Sequence, residues 1–301
     1  VETMVSMQNV QKSFGRTMAA DIEALTVKRG SVYGLIGPNG AGKTTAMKMI
    51  TGLAYADRGE ICVAGLRAGK KNRIEIAKKL GALIESPAYY ENLTGYENLD
   101  IVRRYKGIEK KHIDEALAIV GLTGHEKKRA GAYSLGMKQR LGIAMAIMGF
   151  PPLVILDEPT NGLDPRAMAE MRDLIRSLPR RFDTTVMLSS HDLDEIEKMA
   201  DTIGIIGKGK MLYEGDMAAF KNRYRGEIRL RTSDDERAAM VLEDVRAKLE
   251  GGYIAVAYGE DARIGAINRR LTEAGIDVYR IYESLRSLEE LFLEFTRDAE
   301  L

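Results

Sequence analysis

Apolar and polar positions alternate at Met4-Val5-Ser6-Met7, and the run Val10-Gln11-Lys12-Ser13-Phe14-Gly15 turns back. Alternation with period two predicts an antiparallel opening over residues 1–27. Residues 31–36 are a continuous apolar stretch, the pattern of a buried strand. A glycine-rich loop follows, and Ala46-Met47-Lys48-Met49-Ile50 begins a helix. Residues 53–64 repeat the βα alternation around a turn at Asp57-Arg58-Gly59, residues 70–79 form a basic helical stretch, and residues 80–84 a short strand. From Tyr89 to Phe150 the apolar period becomes helical: Leu99, Val102 and Tyr105 share one face, and Ile113, Leu117 and Val120 another, closed by Gly121. This predicts an inserted helical lobe over about residues 87–150, ending in a helix over 135–148 that Ser134 can cap.

The alternation of buried strand and helix then resumes. Leu153-Val154-Ile155-Leu156 is a solid apolar strand, and residues 166–178 a helix entered through Asn161-Gly162-Leu163-Asp164-Pro165. Residues 184–190 form another buried strand, and residues 203–206 and 210–213 a closing hairpin around Gly207-Lys208-Gly209. Beyond residue 221 the pattern reads β-α-β-α-β-α, with parts at 227–231, 236–249, 253–258, 264–274, 278–281 and 287–296. Breaks at Gly251-Gly252 and Gly275 separate them. The expected architecture is α/β: a mixed sheet core with an antiparallel subdomain and a helical insert over 1–221, then a small α+β domain over 222–301.

Composition narrows this picture little. The 301 residues are 45% apolar, enough for a core, and 45 basic residues against 44 acidic ones leave no field that would attract nucleic acid. The one cysteine, Cys62, excludes an internal disulfide, fits a reducing cytosol and sits in an expected strand as a small core residue. The first ten residues lack the basic start and apolar stretch of a signal peptide. The longest uncharged apolar run, 141–156, is broken by Pro151-Pro152 and is too short to span a bilayer. The expectation is a chain soluble by itself, reaching a membrane only through a partner.

The chemistry is concentrated in Gly37-Pro38-Asn39-Gly40-Ala41-Gly42-Lys43-Thr44-Thr45, which fills every fixed place of G-x-x-x-x-G-K-[ST]. Glycines at 37, 40 and 42 let backbone N–H groups of residues such as Ala41 and Thr45 approach a polyphosphate, at the positive end of the following helix. Lys43 would reach the β/γ-phosphates and the Thr44 hydroxyl would ligate Mg²⁺. The strand 153–156 delivers Asp157 and Glu158 at its carboxyl end, where α/β folds build sites. Adjacent carboxylates ending an apolar strand are costly unless a cation meets them. With a triphosphate loop present, Asp157 would hold Mg²⁺, and Glu158 would act as general base on the attacking water. His191, at the end of the strand 184–190, has the position of a site residue, whereas His112 and His125 lie among charged residues and read as surface. Phe14, about two dozen residues before the loop, is either a purine-stacking aromatic or core.

A phosphate loop, a helical insert ending in Tyr133-Ser134-Leu135-Gly136-Met137, then Leu156-Asp157-Glu158-Pro159, Asn161-Gly162-Leu163-Asp164 and His191 resemble, in order and spacing, an ABC-transporter ATP-binding subunit over about residues 1–220. The resemblance implies a P-loop NTPase fold and ATP hydrolysis with Mg²⁺. It also implies that Phe14 stacks on adenine, that Glu158 is the catalytic base, and that His191 contacts the γ-phosphate. Such subunits pair head to tail, so Ser134 and Gly136 would serve the other protomer's ATP, and Asp164 would lie in the loop that communicates across the dimer. The implied partners are a second ATP-binding subunit, in a homodimer, and an integral membrane permease, with the chain held on the inner face of the membrane. No nucleic-acid partner is implied.

Two departures from the family pattern stand out. Leu135 and Met137 replace a glycine and a glutamine of the signature, while Ser134 and Gly136 keep its phosphate contacts. Glu85 stands where the family has a glutamine; it can still bind Mg²⁺ or its water and share in catalysis, but its charge must be balanced. The stretch Glu85-Ser86-Pro87, continuing through Tyr90 to Leu93-Thr94, is similar to exporters that confer lantibiotic immunity or bacitracin resistance. The Leu288-Glu289-Glu290-Leu291-Phe292-Leu293 ending resembles the C-terminal extensions of such exporters, and a regulatory or dimer-supporting role is expected for that domain. The alternative is a soluble ABC ATPase acting on ribosomes or DNA. Ribosome-acting members usually carry two cassettes and DNA-repair members long coiled coils, and neither feature is present.

Overall fold

The computed structural model describes residues 2–223 and 226–284. The chain forms two compact units, Val1–Met217 and Ala218–Leu301.

The first unit opens with a long hairpin, β1 (Thr3–Phe14) and β2 (Thr17–Lys28). Val5, Met7 and Val10 are buried on β1, and Ile22, Leu25 and Val27 on β2. Next come β3 (Val32–Ile36), α1 (Lys43–Ile50), β4 (Arg58–Val63), β5 (Leu66–Arg67), α2 (Arg73–Lys79) and β6 (Leu80–Leu83). The helical lobe follows as α3 (Gly95–Lys106), α4 (Lys111–Ile119) and α5 (Leu135–Ile147). β7 (Leu153–Asp157), α6 (Pro165–Phe182), β8 (Thr185–Ser190), α7 (Leu193–Met199), β9 (Thr202–Gly207) and β10 (Lys210–Asp216) complete the unit.

Two sheets result. One is antiparallel, in the order β2-β1-β4-β5; the other runs β10-β9-β3-β8-β7-β6, parallel throughout except for β10. Apolar residues of α1, among them Met47 and Ile50, share one core with Ile22 and Leu25 of the first sheet and Leu35, Ile155 and Met187 of the second. Each fully buried leucine or isoleucine in such a core stabilises it by about 1.5–3 kcal/mol. The strands β3, β7 and β8 are buried along their whole length and end on the same edge, because they run parallel. That edge brings the phosphate loop, Asp157-Glu158 and His191 together.

Local signals set the helix boundaries. A capping box starts α3: the Glu97 backbone N–H donates to Thr94 Oγ1 at 3.2 Å, and the Thr94 N–H donates to Glu97 Oε2 at 2.7 Å. α6 starts at Asp164, whose carboxylate accepts from the Ala167 N–H at 2.9 Å, with Pro165 in the first turn. α6 runs past the expected end at residue 178, through Pro179 to Phe182. The last turn is held by tertiary contact, since Phe182 stacks on Phe150 with ring centroids 4.0 Å apart. Two further expectations change. Cys62 is half-buried, because the pleat of β4 turns Ile61 and Val63 into the core and Cys62 away from it. His112 is half-buried too, paired with Glu115 at 2.7 Å and edge-on to Phe150.

α8 (Met217–Arg223) begins at the last residue of the first unit; the second unit holds an antiparallel sheet of order β12-β13-β11-β14, made of β11 (Glu227–Thr232), β12 (Lys248–Glu250), β13 (Tyr253–Ala257) and β14 (Val278–Ser284). The helices α9 (Asp235–Val241) and α10 (Asp261–Glu273) bury Ala238, Ile267 and Leu271 with Ile228, Leu230, Ile254 and Val256. The single helix expected over 236–249 is instead a short helix and a strand. Arg246 adopts a left-handed conformation (φ 55°), and β12 pairs with β13 through the Gly251-Gly252 turn, at φ 57° and 79°. Edge pairing supplies the backbone hydrogen bonds that a longer helix would have made internally. The helix expected over 287–296, with its Leu288–Leu293 ending, lies outside the described residues.

Candidate functional site

The phosphate loop leaves β3 at Gly37 and enters α1 at Lys43. Gly42 takes φ 106°, and a Cβ there would stand 2.6 Å from the Ala19 carbonyl oxygen, so only glycine lets the loop close onto β2. The loop, Ala19 and Glu158 line a depression of about 210 Å³. Lys43 is buried, with 6% exposure, in spite of its charge. Its ammonium donates to the Gly37 carbonyl at 2.6 Å and the Pro38 carbonyl at 3.3 Å, and it stands 3.4 Å from Glu158 Oε1. A buried ammonium needs such partners, and here a carboxylate completes them.

The Thr44 hydroxyl donates to Asp157 Oδ2 at 2.8 Å, which ties the start of α1 to the end of β7. The other oxygen of Asp157 accepts from the Ser189 hydroxyl at 2.5 Å. Ser189 Oγ accepts in turn from the Glu158 backbone N–H at 3.1 Å. Glu158 itself has a left-handed backbone (φ 50°), a strained state that turns its side chain out of the strand direction. Its Oε2 accepts from His191 Nδ1 at 2.8 Å. An ionised carboxylate only accepts, so in this pairing Nδ1 carries the proton, which leaves Nε2 of the half-exposed imidazole as an acceptor.

The remaining residues singled out in the sequence occupy the rim. Asn39, Gly40 and Thr45 belong to the wall of the phosphate depression, together with the buried Ala41. Phe14 ends β1 with 55% exposure, with the Lys12 ammonium 5.3 Å from its ring centroid. The core alternative for this aromatic is thereby overturned. Ser134 caps α5, its hydroxyl accepting from the Met137 N–H at 3.3 Å. Gly136 faces Leu163 of the loop that leads to Asp164, and Gln139 donates to the Pro159 carbonyl at 3.0 Å. The α5 helix is thus tied to the segment following Glu158.

Glu85 stands apart. Its backbone is left-handed (φ 63°), its side chain is exposed, and its carboxylate pairs with Lys48 at 2.6 Å. Among the described residues it makes no hydrogen bond to Thr44 or Asp157. Two contributors escaped the sequence reading, Ser189 and Lys48. Ser189 carried a signal: a hydroxyl inside a fully buried strand, two residues before His191, has to find a polar partner. Lys48 carried none, since a single lysine among the apolar residues of a helix names no partner.

Comparison with known proteins decides the family. Residues 21–161 match the family model described as ABC transporter. The bacitracin transport ATP-binding protein BcrA of Bacillus licheniformis is 42% identical over 301 residues, covering 98% of this chain and 97% of that protein. The chain belongs to the ATP-binding subunits of ABC transporters. This ABC subunit therefore binds and hydrolyses ATP. It is also 41% identical over 219 residues to the lantibiotic transport ATP-binding protein SrtF of Streptococcus pyogenes, covering 73% of this chain and 93% of the relative. Among solved structures, an ATP-binding subunit of an ABC transporter superposes with a TM-score of 0.67 at 27% identity, covering 74% of this chain and 93% of that one. Among the described residues of the ABC subunit, no helix is long and apolar enough to cross a membrane.

Proposed function

We propose that this ABC subunit powers a separate integral membrane permease that exports an antimicrobial peptide of the bacitracin or lantibiotic kind. The observation that carries the ATPase half is the joining of Thr44 to Asp157 and of His191 to Glu158 at one sheet edge, beside Lys43. In this reading the backbone of the phosphate loop and Lys43 bind the β- and γ-phosphates, and Phe14 stacks on the adenine. Glu158 takes a proton from the water that attacks the γ-phosphorus, His191 orients Glu158 through Nδ1, and its Nε2 faces the γ-phosphate.

Thr44 Oγ1 and Asp157 Oδ2 lie together as two hard oxygen donors, and among the described residues no cluster of three or more acidic, His or Cys ligands exists. That donor set fits Mg²⁺, which takes one or two protein oxygens and otherwise phosphate and water. When bound, the ion would neutralise charge on the phosphates. The exposed Ser134 and Asp164 and the half-buried Gly136 lie at the starts of α5 and α6, and would meet the partner copy's ATP in a head-to-tail homodimer.

A groove of about 340 Å³ between β6 and α5 supports the permease half. Leu83, Ile84, Pro87 and Met145 line it with apolar surface. Gly142 lets Pro87 pack directly on α5, since a Cβ there would come within 2.8 Å of the proline. Such a groove suits a short cytoplasmic helix of a permease. The unit Ala218–Leu301 is the accessory domain of this subunit, and the chain sits on the inner face of the membrane. Isolation of the tagged chain from detergent-solubilised membranes, followed by mass spectrometry, tests this. A polytopic membrane protein in stoichiometric yield is the expected result. Recovery only with ribosomal proteins or DNA would overturn the transporter reading and leave the ATPase site standing.

A further inference from the structure

We propose that Lys48 is the dedicated counter-ion of Glu85, a positioning residue that makes a glutamate compatible with the phosphate site. The inference rests on the ATP site described above and concerns two residues outside its hydrogen-bonded core. Lys48 Nζ donates to Glu85 Oε1 at 2.6 Å. Lys48 lies on α1 four residues after Thr44, so the two side chains share one helix face: Thr44 reaches Asp157, and Lys48 reaches Glu85. Leu83 of β6 is in register with Leu156 of β7, which places Glu85 just past the strand end adjoining that of Asp157. An unpaired carboxylate on that edge would repel a polyphosphate.

The geometry of the segment reinforces the point. Glu85 holds a left-handed backbone, which costs a non-glycine residue about 1–2 kcal/mol. A surface ion pair offsets little of that by itself, so stability alone gives weak reason for the pair. The segment is also tethered downstream. Tyr89 lies under the Lys138 ammonium of α5, 5.9 Å from the ring centroid, and the Tyr90 N–H donates to the buried Asn98 Oδ1 at 2.7 Å. Glu85 is therefore held toward α1 at one end while the other end follows the helix capped by Ser134. The Lys48–Glu85 pair links the phosphate-binding helix to the groove wall at residues 84–88.

Binding of a fluorescent ATP analogue with Mg²⁺ to the full chain, at low and high salt, tests this. In K48Q the uncompensated Glu85 weakens binding by about threefold to tenfold at low salt, less at high salt, because exposed charges are screened. K48R stays near wild type. Adding E85Q to K48Q restores the affinity, since a neutral residue needs no counter-ion. If K48Q and the double variant bind equally weakly, Lys48 acts on the nucleotide alone and the proposal fails; it fails also if K48Q binds as wild type does. Should K48Q not fold, E85Q alone decides: it leaves Lys48 as a free cation and tightens binding by about threefold, and unchanged affinity overturns the pairing. Absence of nucleotide binding by the wild-type chain would instead refute the ATP site itself.

Discussion

The Lys43 ammonium stands 3.4 Å from Glu158 Oε1, while the other oxygen of the same carboxylate accepts from His191 at 2.8 Å. One carboxylate thus joins the phosphate-loop lysine to the histidine that ends a different strand.

Replacing Glu158 by Gln keeps a hydrogen-bond acceptor for His191 and removes the proposed base. ATP binding is expected to persist in E158Q while turnover falls by about 10²- to 10⁴-fold. Single-turnover hydrolysis checks this; turnover at the wild-type rate would remove Glu158 from the role of base.

Ser189 holds both acidic residues, donating to Asp157 at 2.5 Å and accepting from the Glu158 N–H at 3.1 Å. It is fully buried, so S189A leaves polar groups unpaired and costs about 1–3 kcal/mol in denaturant melts. The same variant is expected to lower kcat more than it raises KM, because the carboxylates lose their fixed positions while the phosphate loop stays intact.

Ser134 separates helix capping from contact with a partner's nucleotide. Aspartate caps as well as serine, so S134D should change stability by no more than about 0.5 kcal/mol. Its negative charge would face the partner's γ-phosphate. In an E158Q background, ATP-driven dimerisation followed by light scattering should disappear in S134D. A dimer of normal strength would place Ser134 outside the interface.

The pH dependence of folding has one identifiable contributor in Glu214. Burial holds its carboxyl above the usual range, against the lowering effect of bonds from the Thr26 N–H and the Tyr33 hydroxyl. The folded state therefore binds this proton more readily than the unfolded state. The resulting stability is fully present below the ordinary value of 4.5 and is lost as pH rises through the folded value. Both donors bond the same oxygen, at 2.8 and 2.7 Å, and a glutamine carbonyl can replace it. E214Q should accordingly melt no lower than wild type at pH 7, with its advantage vanishing as pH falls toward 4.5. E214A, which strands both donors, should lose about 1–3 kcal/mol. An E214Q protein less stable at pH 7 than at pH 4.5, relative to wild type, would contradict the assignment.

Much of the site was legible because its parts are local. The loop Gly37–Thr45 needs closely spaced glycines to bend around phosphate, and Asp157-Glu158 and His191 lie at the ends of buried strands. Short-range chemistry leaves a short-range pattern, and the parallel order of those strands gathers their ends at one edge. The capping position Ser134 was equally readable for the same reason. What tertiary structure alone decided are pairings whose members carry no joint signal along the chain. Nothing along the chain joins Lys48 to Glu85, which was expected at Mg²⁺; Ser189 between two carboxylates reads as one hydroxyl in a strand. Helix α6 outlasts Pro179 because Phe182 finds Phe150, and Lys248–Glu250 becomes a strand because β13 offers an edge. In each case a contact from a distant part of the chain overrode a local preference: about 3 kcal/mol against a proline inside a helix, and about 1 kcal/mol or less per residue for helix over strand.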